Sequence, residues 1–249
     1  MAPSAEQVLF AHVVGGPDDE IELDVAALLI GDWEFEVDIE GYRRHIDGFA
    51  AAAAERLGER VGEPFGLVRA INRTLFGELA FRGDEETYYD PRNSFLHQVI
   101  DRRLGIPISL SVLYMEVARR MGAVVDGISF PGHFLLRYDE GDQFLIFDPF
   151  HMGLSLDYDD LRVLLHRTIK GKGCEPGDNE PELSDDMIEP ATKRQILGRM
   201  LANLASIYSR SGDPVRCTEV LERMAILDPD SDRIGRELEK MRRRSRELN

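Results

Sequence analysis

Residues 105–122 read GIPISLSVLYMEVARRMG. Leu110, Leu113, Tyr114, Val117, Ala118 and Met121 fall at i, i+3, i+4, i+7, i+8 and i+11, the stripe of an amphipathic helix. Ile108, Val112 and Met115 widen the stripe, which puts this helix at the centre of a core. Pro107 suits a first helical turn, Arg119 and Arg120 suit the negative end of the helix dipole, and Gly122 stops the helix. Just downstream the period changes. Residues 124–130, 133–138 and 144–147 are rich in β-formers, and the last two runs flank Asp139-Glu140-Gly141-Asp142, a hairpin signal.

Upstream, Tyr42, Ile46, Phe49, Ala50, Ala53 and Leu57 recur at helical spacing. So do Phe65, Val68, Ile71, Asn72 and Leu75, with Pro64 in the first turn. Residues 84–92 form a polar loop containing Tyr88, Tyr89 and Pro91. Asn93 or Ser94 is expected to cap the next helix, which carries Phe95, Leu96, Val99, Ile100 and Leu104 and ends at Gly105. Residues 157–169 return to helix, 171–190 are rich in Gly, Pro and acid, and helical patterns follow at 191–210, 213–227 and 230–247. The expected class is α+β. A domain over 1–170 packs helices on a small antiparallel sheet, 171–190 is a linker, and 191–249 is a helical module.

The chain has 249 residues, with 30 Lys and Arg against 46 Asp and Glu, a net charge of −16. That field repels nucleic acid and anionic lipid. No apolar run is long enough to span a membrane and the start does not read as a secretory leader, so the expected location is the cytoplasm. Cys174 and Cys217 make neither a disulfide framework nor a zinc knuckle. No P-loop, dinucleotide turn or HExxH occurs, and no cofactor is expected. Residues 17–40 hold ten acids and no Lys or Arg, which reads as a solvated face with Asp24 capping a short helix. Arg102 and Arg103 read as a solvated face as well. In the last helix, Arg233, Arg236, Lys240, Arg242, Arg243, Arg244 and Arg246 outnumber Glu237, Glu239 and Glu247; this is a solvated face, or one that docks on the acidic segment.

The hairpin brings chemistry together. A turn centred between Glu140 and Gly141 sets His133 opposite Asp148, on one face, where a carboxylate can hold an imidazole in one tautomer. A slip of one residue would separate them. The start of the Pro107 helix offers free N–H groups and a positive dipole end, suited to a nucleophile or an oxyanion. Its hydroxyls are Ser109 and Ser111. A metal would need His97, His133, His151 and Asp148, whose spacing matches no ligand motif, so no metal is expected.

These residues resemble a known family. Asn93-Ser94-Phe95-Leu96, Gly105 to Tyr114, Phe130-Pro131-Gly132-His133-Phe134-Leu135 and Phe147-Asp148-Pro149-Phe150 look like the bacterial SirB-type family, over roughly residues 35–230. The resemblance implies a transglutaminase-like, papain-like core followed by tetratricopeptide helices. In active relatives of that core a Cys at the helix start works with a His and an Asp on the sheet. His133 and Asp148 match the latter two, and the Cys position falls at or next to Pro107. Leu201, Asn203, Leu204, Ala205, Ile207, Tyr208, Gly212, Asp213, Val220, Leu221, Leu227, Asp228 and Pro229 resemble one tetratricopeptide unit of about 34 residues. A lone unit must pack on the core or on a second copy, so a homodimer is one expectation.

With the thiol absent, the expected function is a non-catalytic module binding a protein or peptide segment, with Asn93, Tyr88, Tyr89 and Phe150 around the cleft. The alternative is a hydrolase or acyl transferase in which Ser109 attacks, His133 takes its proton and Asp148 orients His133. A third reading leaves His133 and Asp148 as a staple of the sheet.

Overall fold

The computed structural model describes residues 3–58, 62–170 and 182–247. Cys174 and most of the expected linker lie outside the described residues. Helices α1 (Ala5–Val13), α2 (Leu23–Leu29), α3 (Ile39–Gly58) and α4 (Gly66–Asn72) come first, and α4 runs on into a π-helical segment, Arg73–Glu78. Two short strands, β1 (Arg82–Gly83) and β2 (Leu104–Gly105), pair in parallel on either side of α5 (Leu96–Arg102). The central helix α6 (Pro107–Arg120) leads into an antiparallel sheet of four strands in sequential order, β3 (Asp126–Ile128), β4 (Leu135–Glu140), β5 (Gln143–Asp148) and β6 (Leu154–Leu156). Helices α7 (Tyr158–Lys170), α8 (Lys193–Ser211), α9 (Pro214–Leu227) and α10 (Asp232–Glu247) complete the chain. The architecture is thus mixed, with many helices and one small antiparallel sheet. Among the described residues, no helix is long and apolar enough to cross a membrane.

The helix read from residues 105–122 is central. Val112, Leu113, Tyr114, Val117 and Ala118 are all buried, and α6 packs against α2, α3, the sheet and α8. The Tyr114 hydroxyl, sealed among apolar groups, donates to the Val68 carbonyl at 3.1 Å, which meets the cost of burying it. Gly122 takes φ +78°, the left-handed conformation of a helix stop.

The hairpin exists in a different register. Glu140 pairs with Gln143 and Leu136 with Phe147, so the turn residues are Gly141 and Asp142, with Gly141 at φ +61°. This slides the expected pairing by two residues. Side chains alternate with period two, so the slip leaves every residue on its expected face. Strand β6 and helix α1 carry too little periodicity to be seen in the sequence.

Other boundaries move for local reasons. Phe65, at φ +53°, precedes α4, so Pro64 lies outside the helix. Neither Asn93 nor Ser94 caps α5. Phe95 stands at that position without a side-chain bond, and Asn93 belongs to a 3-10 turn, Pro91–Asn93. Arg103, at φ +60°, ends α5, while Gly105 lies in β2. The guanidinium of Arg103 sits 4.5 Å from the Phe81 ring centroid and that of Arg102 donates to Asn93, so neither is a free solvated charge.

The acidic segment is not merely solvated. Asp24 is fully buried and does not cap α2. Its carboxylate meets Arg120 at 2.6 Å, Arg43 at 3.3 Å and Arg119 at 3.7 Å. Burial alone would raise its pKa, and the hydrogen bond and charge of Arg120, with Arg43 and the Val25 amide, outweigh burial and hold it below the ordinary range. Asp18 accepts from the Lys193 and Arg194 amides at the start of α8, and Glu34 meets Arg216 of α9 at 2.9 Å. The acids therefore dock on α8 and α9, and among the described residues none bonds to α10. Helix α1 packs on α9 and α2 on α8, so the chain itself covers the inner face of these helices.

Candidate functional site

The site begins with the way Asp148 ends β5. Pro149 follows it, and a 3-10 turn, Pro149–His151, takes over from the strand. Asp148 caps that turn, its Oδ1 accepting from the Phe150 amide at 2.9 Å. Met152 at φ +56° and Gly153 at φ +76° swing the chain back, and the Gly153 amide donates to the Asp148 carbonyl at 2.8 Å. The turn packs against α6 and β1. A Cβ on Gly83 would lie 2.5 Å from the Phe150 ring, so only glycine fits beneath that aromatic.

His133 lies in the turn before β4 and is mostly buried. Its Nε2 is 2.8 Å from Asp148 Oδ2. The two-residue slip makes this pair a diagonal neighbour across the hairpin instead of a direct one, a separation that a ring and a carboxylate still bridge. His151, which the sequence offers only within a metal set of no recognised spacing, joins the pair. Its Nδ1 is 2.6 Å from the same Oδ2, and its ring lies nearly parallel to that of His133, 19° between planes. A signal for it existed: an Asp followed three residues later by a His, with Pro between them to start a tight turn. Burial alone would raise the pKa of Asp148, and the hydrogen bonds and charge of His133, then of His151, pull it below the ordinary carboxylate range.

The loop that holds His133 is fastened by helix α8. Arg199 of α8 donates to the His133 carbonyl at 2.7 Å, to the Phe130 carbonyl at 3.2 Å and to Ser129 Oγ at 2.7 Å. Its guanidinium carbon lies 5.7 Å from the Phe134 ring centroid. One planar group thus reads three acceptors on a single turn, a geometry that lysine does not offer.

The start of α6 presents no free nucleophile. Pro107 occupies the first helical position. Ser109 is fully buried, and its Oγ donates to the Asn93 carbonyl at 2.6 Å while accepting from the Ile106 amide at 3.1 Å. Ser111 Oγ donates to the Pro107 carbonyl at 2.7 Å. Cys217 is buried in α9 with its thiol 3.7 Å from the Ala205 carbonyl.

The expected lining residues divide. Asn93 is fully buried, donating to Asp84 and the Thr87 carbonyl and accepting from Arg102, so it fastens the 84–95 loop and faces no cleft. Phe150 stands edge-on to His133 at 6.2 Å between centroids, and Tyr88 edge-on to Phe150 at 6.0 Å. Tyr89 is exposed and lines a groove of about 580 Å³ between the 89–95 loop and helices α8 and α9, together with Phe35, Asp90, Tyr208 and Arg216. His97 is not part of the site. It lies in the core, its ring 4.8 Å from Phe35 and 5.8 Å from Tyr42, with neither nitrogen hydrogen-bonded.

A buried Asp holding a His, next to a turn packed on the central helix, is the geometry that comparison with other proteins bears on. The family model described as the transglutaminase-like superfamily matches residues 40–202. The chain belongs to the transglutaminase-like superfamily. A UPF0162 protein of Xylella fastidiosa (strain 9a5c) is 37% identical over 219 residues, covering 86% of this chain and 74% of that protein. A UPF0162 protein of Pseudomonas aeruginosa is 34% identical over 164 residues, covering 66% of this chain and 55% of that one. F-box only protein 21 of Mus musculus is 32% identical over 154 residues, covering 59% of this chain and 22% of that protein. No solved structure matches. This transglutaminase-like chain has a linked His133 and Asp148, and carries Pro107 and two committed hydroxyls at the start of α6.

Proposed function

We propose that this chain is a pseudoenzyme of the transglutaminase-like superfamily that binds a protein or peptide segment. The observation that carries the reading is the start of α6, where Pro107 has no nucleophilic side chain and the Ser109 hydroxyl is sealed in the core by the Asn93 carbonyl. Activating such a hydroxyl would need a base within hydrogen-bond reach; its donor instead serves a backbone carbonyl. The occupied surface is the groove beside Tyr89, where lining by Phe35 and Tyr208 suits apolar side chains, and lining by Asp90 and Arg216 suits the polar groups of an extended segment. In this reading α8 and α9 act as a tetratricopeptide-like pair that widens the surface.

Treatment of the protein with a fluorophosphonate probe, read by intact mass, tests the catalytic half. No adduct is expected, and Ser109→Ala is expected to lower stability by about 1–3 kcal/mol in urea titration, because the Asn93 carbonyl and the Ile106 amide lose their partner. An adduct on Ser109 that disappears in His133→Ala overturns the reading and makes the chain a serine-dependent acyl transferase or hydrolase. The binding half is tested by displaying peptide libraries to the wild type and to Tyr89→Ala. Peptides retained by the first and released by the second are the expected result.

A further inference from the structure

We propose that His133, His151 and Asp148 form a binding site for a divalent metal of the zinc class. The sequence argued against a metal because four residues, His97 among them, matched no ligand spacing. The fold removes His97 to the core and brings the other three together. His133 Nε2, His151 Nδ1 and an Asp148 carboxylate oxygen all lie within 4.8 Å of one another. Tetrahedral coordination with bonds of about 2.1 Å sets donor atoms roughly 3.4 Å apart, so an ion fits after shifts well under an ångström per ligand.

Three further features favour the site. Both imidazoles direct a nitrogen at the same Asp148 oxygen, one from the turn before β4 and one from the turn after β5, at 2.8 and 2.6 Å. A staple would need only one of them. Among the described residues, moreover, His133 Nδ1 and His151 Nε2 have no protein hydrogen bond, so on binding an ion each ring can shift its proton there and turn to the ion the nitrogen that bonds Asp148 in the metal-free protein. Asp148 Oδ1 is held by the Phe150 amide, which fixes the carboxylate without blocking Oδ2.

The environment sets the metal. Two imidazoles and one carboxylate are borderline donors, which suit Zn²⁺ and Co²⁺ and offer little to Mg²⁺ or Ca²⁺, cations that want six or more oxygens. The three residues also grade in exposure: Asp148 is 4% exposed, His133 12% and His151 52%. The ion would enter past His151, and a tetrahedral shell with three protein ligands keeps its fourth position for water or a donor from a bound segment.

The test uses untagged, chelator-stripped protein. Zn²⁺ is titrated against a chromophoric chelator, and Co²⁺ is added separately as a visible-absorption reporter of coordination. One equivalent per chain, an intense tetrahedral Co²⁺ band displaced by Zn²⁺ and untouched by excess Mg²⁺, and more than tenfold weaker binding in His151→Ala are the expected results. Because His151 is half exposed, this variant keeps the fold, and unchanged far-UV circular dichroism verifies that. His45→Ala, at a histidine remote from the turn, is expected to bind like the wild type. Failure of the wild type to bind one equivalent, or equal binding by His151→Ala, overturns the proposal. Metal binding is read directly, so the result does not depend on whether a peptide partner exists.

Discussion

Two buried aspartates organise this molecule, and they do so in opposite ways. Asp24 is closed off entirely, and its partners are the guanidiniums of Arg43, Arg119 and Arg120. Glu116, also buried, shares Arg119 and Arg120 with it. Asp148 is nearly as deep, yet its partners are two imidazoles, one of which reaches solvent. Guanidiniums stay charged at any pH a protein meets, so the first cluster is a permanent clamp between α2, α3 and α6. Imidazoles can lose a proton, ligate or exchange partners. The same carboxylate chemistry thus makes a rivet in one place and an addressable centre in the other, and the difference lies in the partners and their exposure, not in the aspartates.

The largest effect should come from breaking the rivet. Asp24→Ala is expected to cost about 3–5 kcal/mol, because it leaves buried positive charge without its counter-ion. Urea titration reads it directly. A loss comparable to that of a surface pair, under about 1 kcal/mol, would mean that Glu116 and Asp47 already neutralise the arginines and that the contrast is false.

A histidine with no hydrogen-bonded carboxylate sharpens the comparison from another side. His97 is buried without a hydrogen bond, and burial pushes its pKa down to about 4, with Asp101 opposing only weakly. The folded state therefore favours the neutral ring. Stability from this residue is complete above the ordinary value near 6.5 and drains away as pH falls from there toward 4, by about 3 kcal/mol in all. Thermal melts of the wild type and His97→Leu between pH 7 and 4 check this. The gap between the two is expected to shift in favour of the variant as the pH falls.

The smallest effect belongs to the open end of the second cluster. His151→Ala is expected to change metal-free stability by less than about 0.5 kcal/mol, since a half-exposed pair contributes little. A loss several times larger would make His151 part of a structural clamp and bring the two clusters closer in kind.

How much of this was legible in the sequence follows from the range over which each feature is determined. Helix α6 was readable because its stripe, its Pro107 and its Gly122 are all local. The hairpin was readable from residues 139–142, but its register was not, because two turn positions compete there and only the packed strands choose between them. The face of His133 and Asp148 survived that error because an even slip preserves sidedness. Asp24 could not be read. Its burial depends on Arg120, 96 residues away, and an aspartate amid ten acids looks solvated when nothing else is known. His151 is visible in the sequence only in a set with His97, His133 and Asp148 whose spacing matches no ligand motif. The actual ligand geometry arises in a 3-10 turn, where helical and strand periods give no guidance.

Arg199 has a consequence for the order in which the molecule is made. It lies 66 residues beyond His133 in the chain, and it supplies the hydrogen bonds that hold the turn on which that histidine sits. At a synthesis rate of roughly 5–20 residues per second, the turn exists for about 3–13 s before its guanidinium has been polymerised. During that interval the sheet can pair and Asp148 can cap its own turn, since both use earlier residues. The histidine loop gains the Arg199 clamp only after α8 emerges, the same helix that closes the core on α2 and α6, so loop and core are finished by one late element.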